Sequence, residues 1–367
     1  MTHDDNSTAS QHLPVDIMST AEVAQLGSGN SLISLSSPGK EFSFQCVVLV
    51  LGVFGLAANA LILYALVASK QHKKHALIVN QNALDLFSCM FIIVTYSVKI
   101  CNVYLSGLAG FLLCTMIISE SLIWSGIIGS VINLASITVE RYLKVVHPVW
   151  SKNKLRNWMM YSAMAFAWIT SLIYNMALVM LTTTVVDGVC YAYAVWKSNT
   201  IKAVYFIWNF LSFYVVVFMI FVVCYWRILR VIRHQAKVMA GHGAAGSSAA
   251  QAQTNHIQTN VIKTMILISA FHVLTWLPIE VYFLFMNVDP NLPFVAGLYY
   301  AAEFVACLYT CANPFIYATK FDPVKQVLVR MIPCTKTSEQ AAEHGANSGT
   351  GTGTTTSRHA VQLHGHK

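Results

Sequence analysis

The chain has 367 residues, of which 56% are hydrophobic and only 10% are charged. A soluble domain of this size needs a more polar surface, so the composition excludes one and indicates a membrane protein. The formal net charge of +8 is distributed among short loops between apolar stretches, which favours a role in membrane orientation over nucleic-acid binding.

Residues 1–41 form a polar, acidic tail that we expect to be disordered and extracellular. No apolar segment precedes residue 42, so we expect no cleaved signal peptide and expect the first span to direct insertion. Asn6-Ser7-Thr8 matches the N-glycosylation acceptor pattern, which makes Asn6 a candidate site; a chance match to this common pattern is the alternative.

Seven apolar stretches follow, and each is long enough to cross a hydrocarbon core of ~30 Å. They cover residues 42–69, 75–98, 111–139, 157–186, 203–226, 261–286 and 294–319. Loops after the odd-numbered spans are basic, so the positive-inside rule places the amino terminus outside and the carboxyl terminus inside. The sequence therefore predicts an all-α membrane protein, with a seven-transmembrane helix bundle over residues 42–319.

Three segments lie on the predicted cytoplasmic side. Gly, Ala, Ser and Gln dominate residues 241–253 and predict a flexible loop between the fifth and sixth spans. Residues 320–334 have the apolar and basic spacing of a short helix on the membrane surface, with Cys334 as a candidate palmitoylation site. Residues 335–367 are rich in Gly, Ser and Thr, so we expect a disordered tail.

Three polar motifs occur where the sequence is otherwise apolar. Glu140-Arg141-Tyr142 ends a run without charged residues. An arginine at the bilayer centre costs roughly 2.5–3.5 kcal/mol, so Arg141 must reach water or find partners inside a helix bundle. In the sixth span, Thr275-Trp276-Leu277-Pro278 predicts a kink, because proline removes a backbone hydrogen bond. The seventh span contains Asn313-Pro314-Phe315-Ile316-Tyr317.

Together with Asn59, Trp168 and Tyr225, these motifs resemble those of the rhodopsin-like (class A) G-protein-coupled receptors, over about residues 42–334. The resemblance implies a multi-pass plasma-membrane receptor that binds an extracellular ligand and activates a heterotrimeric G protein. It adds arrestin as a further partner, through the Ser/Thr-rich tail. The residues implied in activation and G-protein coupling are Glu140, Arg141, Tyr142, Tyr225, Trp276, Pro278, Asn313, Pro314 and Tyr317.

The family disulfide falls here on Cys114, near the third span, and Cys190, in the second outer loop; Cys101 is a rival partner. Cys114 precedes Arg141 by two residues more than is usual in the family, so the outer end of the third span must be offset. Two further departures affect the core. His272 replaces a usual phenylalanine and Val217 a usual proline, so the switch region is expected to pack differently.

Asp85 is an ionisable residue within the second span, and such a carboxylate needs a partner. In the resembled family, this acid binds a sodium ion with a serine of the third helix and an asparagine of the seventh. Ser130 and Asn313 match those positions, whereas Tyr309 replaces a further asparagine. The alternative is that Asp85 only hydrogen-bonds Asn59 and Asn313. No other cofactor is expected.

A ligand pocket is expected in the outer half of the bundle, lined by Glu120, Ile123, Trp124, Trp276, Glu280, Tyr299 and Glu303. Unpaired carboxylates there favour a cationic ligand group, carried most plausibly by a peptide. The alternative is that Lys99 pairs with Glu120 or Glu303, so that no ligand charge is needed. A receptor for a small non-peptide ligand is the second interpretation.

Other classes of protein are disfavoured. No Ser/His/Asp set or His-Glu-x-x-His motif indicates an enzyme. A transporter would share buried acids but usually has internally repeated halves, which this chain lacks. Cys307 stands where a light receptor has its lysine, and Ile123 where an amine receptor has its aspartate.

The resemblance also bears on the resting state of Arg141. In the resembled family, the neighbouring acid holds this arginine inactive, and in some members a second acid near the start of the sixth helix does so as well. Gln258 and Asn260 stand in that region here and no acid does, which predicts ligand-free signalling.

Overall fold

The computed structural model describes residues 38–70, 72, 75–241, 249–289, 292–293 and 295–331. Within these ranges the chain is almost entirely helical. The helices are α1 (Pro38–Ala68), α2 (Ala76–Cys101), α3 (Gly107–Leu113), α4 (Ser121–Val146), α5 (Pro148–Lys154), α6 (Asn157–Thr182), α7 (Asn199–Asn209), α8 (Val216–Gly241), α9 (Ala249–Val288), α10 (Ala296–Lys320) and α11 (Asp322–Met331). Asn6, Cys334 and the tail over residues 335–367 lie outside the described residues.

The long helices form the predicted seven-helix bundle. In sequence order, the spans are α1, α2, α3 with α4, α6, α7 with α8, α9 and α10. The spans form a closed ring in which α1 packs against α2 and α10, α4 contacts α2 and α8, and α9 lies between α7 and α10; α6 packs on the outside of α4. Six spans have the length and apolar composition of membrane helices, and α10 is more polar because it contains Glu303 and Asn313.

Many polar side chains are buried inside this bundle beside its apolar core, and many large apolar side chains face outward. Asn59, Asp85 and Ser130 are fully buried, whereas Val50 and Trp158 are exposed. This distribution suits a protein in lipid, because hydrocarbon accepts apolar surface but leaves polar groups without hydrogen-bond partners.

The third span is broken near its outer end, which accounts for the offset that the sequence predicts. A π-helical turn (Cys114–Ile118) follows α3, and the Ser119 amide donates to the Cys114 carbonyl at 2.9 Å. Glu120 then adopts a left-handed conformation with φ of 63° before α4 begins. A π turn inserts extra residues into a helix without ending it.

A β-hairpin covers the outer end of the bundle. Strands β1 (Thr184–Val186) and β2 (Val189–Tyr191) pair antiparallel around Asp187 and Gly188, which both have positive φ angles as a tight hairpin turn requires. The predicted disulfide between Cys114 and Cys190 is confirmed, with a Cα–Cα distance of 5.4 Å, and Cys101 is a free, exposed thiol.

Of two predicted cytoplasmic segments, one is partly helical where a loop was expected and the other contains the expected helix. Helix α9 begins at Ala249, inside the segment predicted to be a loop, because its alanines and glutamines favour a helix that continues directly into the sixth span. Residues 242–248 lie outside the described residues. Helix α11 occurs within residues 320–334, where a short helix was predicted.

Candidate functional site

A cavity of about 870 Å³ lies beneath the hairpin, in the outer half of the bundle. It is lined by six of the predicted pocket residues: Glu120, Trp124, Trp276, Glu280, Tyr299 and Glu303. The prediction for Ile123 is wrong. Its side chain is 5% exposed and packs in the apolar core, because it lies off the face of α4 that Trp124, Ile127 and Val131 present to the cavity.

Two of the cavity acids have partners within the protein. Lys99 forms an ion pair with Glu120. The Tyr96 hydroxyl lies 2.8 Å from Glu303 Oε1 and 3.1 Å from Glu120 Oε1, so its single proton can be donated to either acid. Tyr299 is a further hydrogen-bond partner of Glu303. The pairing of Lys99 that the sequence left open is therefore present at this side of the cavity.

Glu280 differs from these acids. Its side chain is half-buried and lines the cavity, and it has no hydrogen bond or ion pair within the described part of the chain. Its surroundings are aromatic. The hydroxyl groups of Tyr174, Tyr205 and Tyr214 lie within the range of its electrostatic field. Glu280 is thus a cavity carboxylate that forms no ion pair with any cation among the described residues.

The second outer loop adds Tyr193 to the cavity lining. Burial, and next the negative charge of Glu120, raise the pKa of the Tyr193 hydroxyl above its ordinary value. Tyr193 therefore stays a neutral hydrogen-bond donor at physiological pH. Its place in the cavity was not predictable from the sequence, because it depends on the position of the hairpin.

Deeper in the bundle, the predicted sodium residues meet. Asp85 Oδ1 accepts a hydrogen bond from Ser130 at 2.8 Å, and Asp85 Oδ2 accepts one from Asn313 at 2.9 Å. Asn59 instead donates to the Gly55 and Thr310 carbonyls. Of the two hydrogen bonds in the alternative interpretation, the one from Asn313 to Asp85 is present, and none between Asn59 and Asp85 occurs among the described residues.

The surroundings of Asp85 contain further oxygen atoms that suit a cation. Asn313 Oδ1 is buried without a hydrogen-bond partner among the described residues, and the buried Tyr309 hydroxyl lies close to Asn313 and Ser130. With Asp85 and Ser130 they provide four oxygen-bearing groups in one region, and oxygen ligands suit a hard cation. No group of three His, Cys, Asp or Glu residues suited to a transition metal occurs among the described residues.

Gln81 is a member of this polar region that the sequence analysis missed. Its amide donates to Ser130 Oγ, and its carbonyl accepts a hydrogen bond of 2.8 Å from Asn133. Asn80 and Trp168 extend the network, since Asn133 Oδ1 accepts from Asn80 at 2.9 Å and Trp168 donates to Asn80 at 3.0 Å. The available signal was a glutamine in an otherwise apolar span, one turn before Asp85.

Arg141 is held at the cytoplasmic end of α4 by two neighbours. Its guanidinium lies 3.2 Å from Glu140 Oε2 and 3.3 Å from His75 Nδ1. Lys144 also binds Glu140, at 2.5 Å. Arg141 Nε is buried without a partner. His75 was not predicted as a partner, and the Gln258 side chain lies outside the described residues.

The remaining predicted switch residues lie between the cavity and Arg141. Tyr225 hydrogen-bonds Thr138 at 2.9 Å and Ser269 at 3.0 Å. Trp276 packs edge-on against Trp124, with ring centroids 5.9 Å apart. The Tyr317 hydroxyl is buried without a hydrogen bond. Pro278 and Pro314 lie inside α9 and α10, and Tyr142 contacts His147 at 3.3 Å.

Comparison with known proteins identifies the class of this arrangement. The model of the 7 transmembrane receptor (rhodopsin family) matches residues 58–317. Human C-C chemokine receptor type 8 is 26% identical over 338 residues, covering 88% of this chain and 85% of the relative. The family consists of multi-pass plasma-membrane receptors, which excludes the enzyme and transporter interpretations. The chain is therefore a G-protein-coupled receptor that belongs to the rhodopsin family.

Proposed function

We propose that this receptor binds an extracellular peptide with a cationic group in the outer cavity and thereby activates a heterotrimeric G protein. The observation that carries the proposal is Glu280, which lines the cavity and forms no ion pair with any of the described residues. A charged group removed from water is costly unless it is paired, so a ligand cation at this position gains a strong contact. The relative's name, a chemokine receptor, supports a peptide ligand.

The charge of the whole cavity lining supports the same ligand class. Glu41, Glu120, Glu280 and Glu303 line it, against Lys99 and Lys202, so four acids minus two bases leaves an excess of two negative charges. Such a cleft attracts cations and raises their association rate. Its aromatic walls would bury the apolar parts of a peptide.

The test begins with a ligand library screened on cells for second-messenger responses. We expect the potency of the agonist found to fall by more than tenfold in Glu280→Gln or Glu303→Gln, since each replacement removes a carboxylate and keeps its shape. Asp289→Asn is the matched control, because Asp289 is exposed and does not line the cavity. Unchanged potency in both cavity variants would refute the proposal.

We also propose that Asp85, Ser130 and Asn313 hold a sodium ion that opposes activation. The buried Asn313 Oδ1, which has no partner among the described residues, and the nearby Tyr309 hydroxyl support this proposal. When bound, the ion supplies positive charge beside the Asp85 carboxylate, and the residues around it orient their oxygens toward that charge.

A further inference from the structure

Besides Glu280, the cavity contains a second charged side chain that has no partner in the described part of the chain. Lys202 is half-buried and lines the cavity from α7. Tyr205, Phe206 and Asn209 line it from the same face of that helix, so this face points inward. Among the described residues, no acid or hydrogen-bond acceptor binds Lys202.

The two unpaired charges do not neutralise each other. No ion pair within 4.0 Å joins Lys202 to Glu280. The Phe206 ring of α7 and the Phe283 ring of α9 have centroids 6.3 Å apart, so these two residues are level in the bundle. Glu280 is three residues deeper than Phe283 on α9, and Lys202 is four residues further out than Phe206 on α7. At about 1.5 Å per residue, these seven residues place Lys202 roughly 10 Å nearer the outside than Glu280.

The other charged side chains of the cavity lining already have partners. Lys99 is paired with Glu120, Glu303 accepts hydrogen bonds from Tyr96 and Tyr299, and Glu41 accepts one from Gln45. A ligand with positive charge alone would neutralise the net negative charge of the cavity but would leave Lys202 without an anion. An unpaired ammonium that becomes further buried under a bound ligand loses water contacts, which disfavours binding of a purely cationic molecule.

We propose that the cavity is built for a ligand segment with two opposite charges: a cationic group bound at Glu280 and a carboxylate bound at Lys202, roughly 10 Å apart along α7. The rings of Tyr205 and Phe206 lie between the two positions and contact the apolar part of the ligand. This inference rests on the proposed function and extends it, because it fixes the direction in which the ligand lies.

The experiment uses four defined peptides on the full-length receptor in phosphatidylcholine nanodiscs, with binding measured by surface plasmon resonance. Acetyl-Arg-Trp-Phe acid carries both charges, and its carboxyl-terminal amide carries only the cation. Acetyl-Arg-Trp-Glu amide moves the carboxylate to a side chain. Acetyl-norleucine-Trp-Phe acid carries only the anion.

We expect at least one of the two doubly charged peptides to bind wild-type receptor ten times more tightly than acetyl-Arg-Trp-Phe amide. The better of them shows whether a terminal or a side-chain carboxylate is preferred. Lys202→Gln should abolish this ratio without weakening the amide, and Lys202→Glu should reverse it. Glu280→Gln should weaken every arginine peptide. Lys197→Gln is the matched control, because Lys197 is exposed and does not line the cavity.

Equal binding of the amide and both doubly charged peptides would overturn the inference, as would a ratio that persists in Lys202→Gln. Either result leaves the cationic site at Glu280 standing if Glu280→Gln still weakens the amide. Tightest binding by the norleucine acid, or no binding by any peptide at millimolar concentration, would overturn both proposals. An unchanged thermal unfolding temperature shows that each variant is folded.

Discussion

At the scale of single residues, Arg141 shows how weakly some charges in this receptor are held. Glu140 is its only ionic partner among the described residues, and Glu140 also binds Lys144. The second contact is with His75 Nδ1, which accepts a hydrogen bond only while that nitrogen carries no proton. A neutral acceptor on α2 therefore takes part of the role that a charged partner would have.

Replacing His75 by alanine should raise ligand-free signalling. A hydrogen bond to a charged group contributes on the order of 1–3 kcal/mol, and losing even the lower value would raise a small active fraction about fivefold. The measurement is second-messenger output per surface receptor. His75→Asn keeps an acceptor near the Nδ1 position and should stay near wild type. Equal output from His75→Ala and wild type would show that this contact does not hold Arg141.

Replacing Asp85 by asparagine should abolish the effect of sodium on agonist binding. The substitution keeps a polar side chain of the same size beside Ser130 and Asn313 but removes the charge that attracts a cation. Agonist affinity should fall with sodium chloride in wild type and not in the variant, with choline chloride to keep ionic strength constant. A sodium response that survives in the variant would exclude this site.

These residues also show how far the site could be predicted from the sequence. A carboxylate within an apolar span made Asp85 a candidate by itself, and the resemblance to the receptor family added Ser130 and Asn313. Gln81 and His75 were not predictable, since their partners depend on the rotation of α2 against α4. Ile123 was misplaced for a related reason: the break at Glu120 changes which face of α4 meets the cavity.

At the scale of elements, close helix contacts depend on residues without a side chain. A Cβ added to Gly55 of α1 would lie 2.7 Å from Cys89 Sγ and 2.8 Å from Cys311 Sγ. Both distances are shorter than a real carbon–sulfur contact. Gly55 therefore sets how closely α1 approaches α2 and α10.

Gly55→Ala should accordingly destabilise the bundle. Inserting a methyl group into a packed core costs about 1–3 kcal/mol, because the neighbouring helices must move apart. The thermal unfolding temperature of the purified receptor should fall. Gly297→Ala in α10 is the control, since nothing lies within 4 Å of the Cβ position there, and it should leave that temperature unchanged. A similar temperature for both variants would show that α1 adjusts freely.

The number and order of the spans followed from apolar length, because a membrane helix must satisfy its backbone within itself. The breaks inside the spans could not be predicted from apolar length. The π turn at Cys114 keeps this residue beside Cys190 of the hairpin. The second π turn (Phe210–Val215) ends two residues before Val217, which stands in place of the usual proline. Such turns adjust a helix to contacts with segments that are distant in sequence. Local composition does not reveal those contacts.

At the scale of the whole molecule, the cavity and Arg141 lie at opposite ends of one bundle. The polar region around Asp85 lies between them, bordered by Trp276 on the cavity side and by Tyr225 toward the cytoplasm. The buried Tyr317 hydroxyl has no hydrogen-bond partner among the described residues, so it marks a position where a hydrogen bond can form after a rearrangement. A ligand that favours a second packing of these side chains would shift the population of the receptor toward it.

The equilibrium between inactive and active receptor also determines signalling without ligand. The start of the sixth span contains Gln258 and Asn260 and no acid, so no charged contact from that span restrains Arg141. A charged contact there would contribute on the order of 1–3 kcal/mol, and a shift of about 1.4 kcal/mol changes a small active fraction tenfold. We therefore expect measurable basal second-messenger output per surface receptor, silenced by Arg141→Ala and reduced by Gln258→Glu. Gln258→Asn, which adds no charge, should leave the output unchanged. Wild-type output no higher than that of Arg141→Ala would mean that Glu140 and His75 already close the bundle without help from the sixth span.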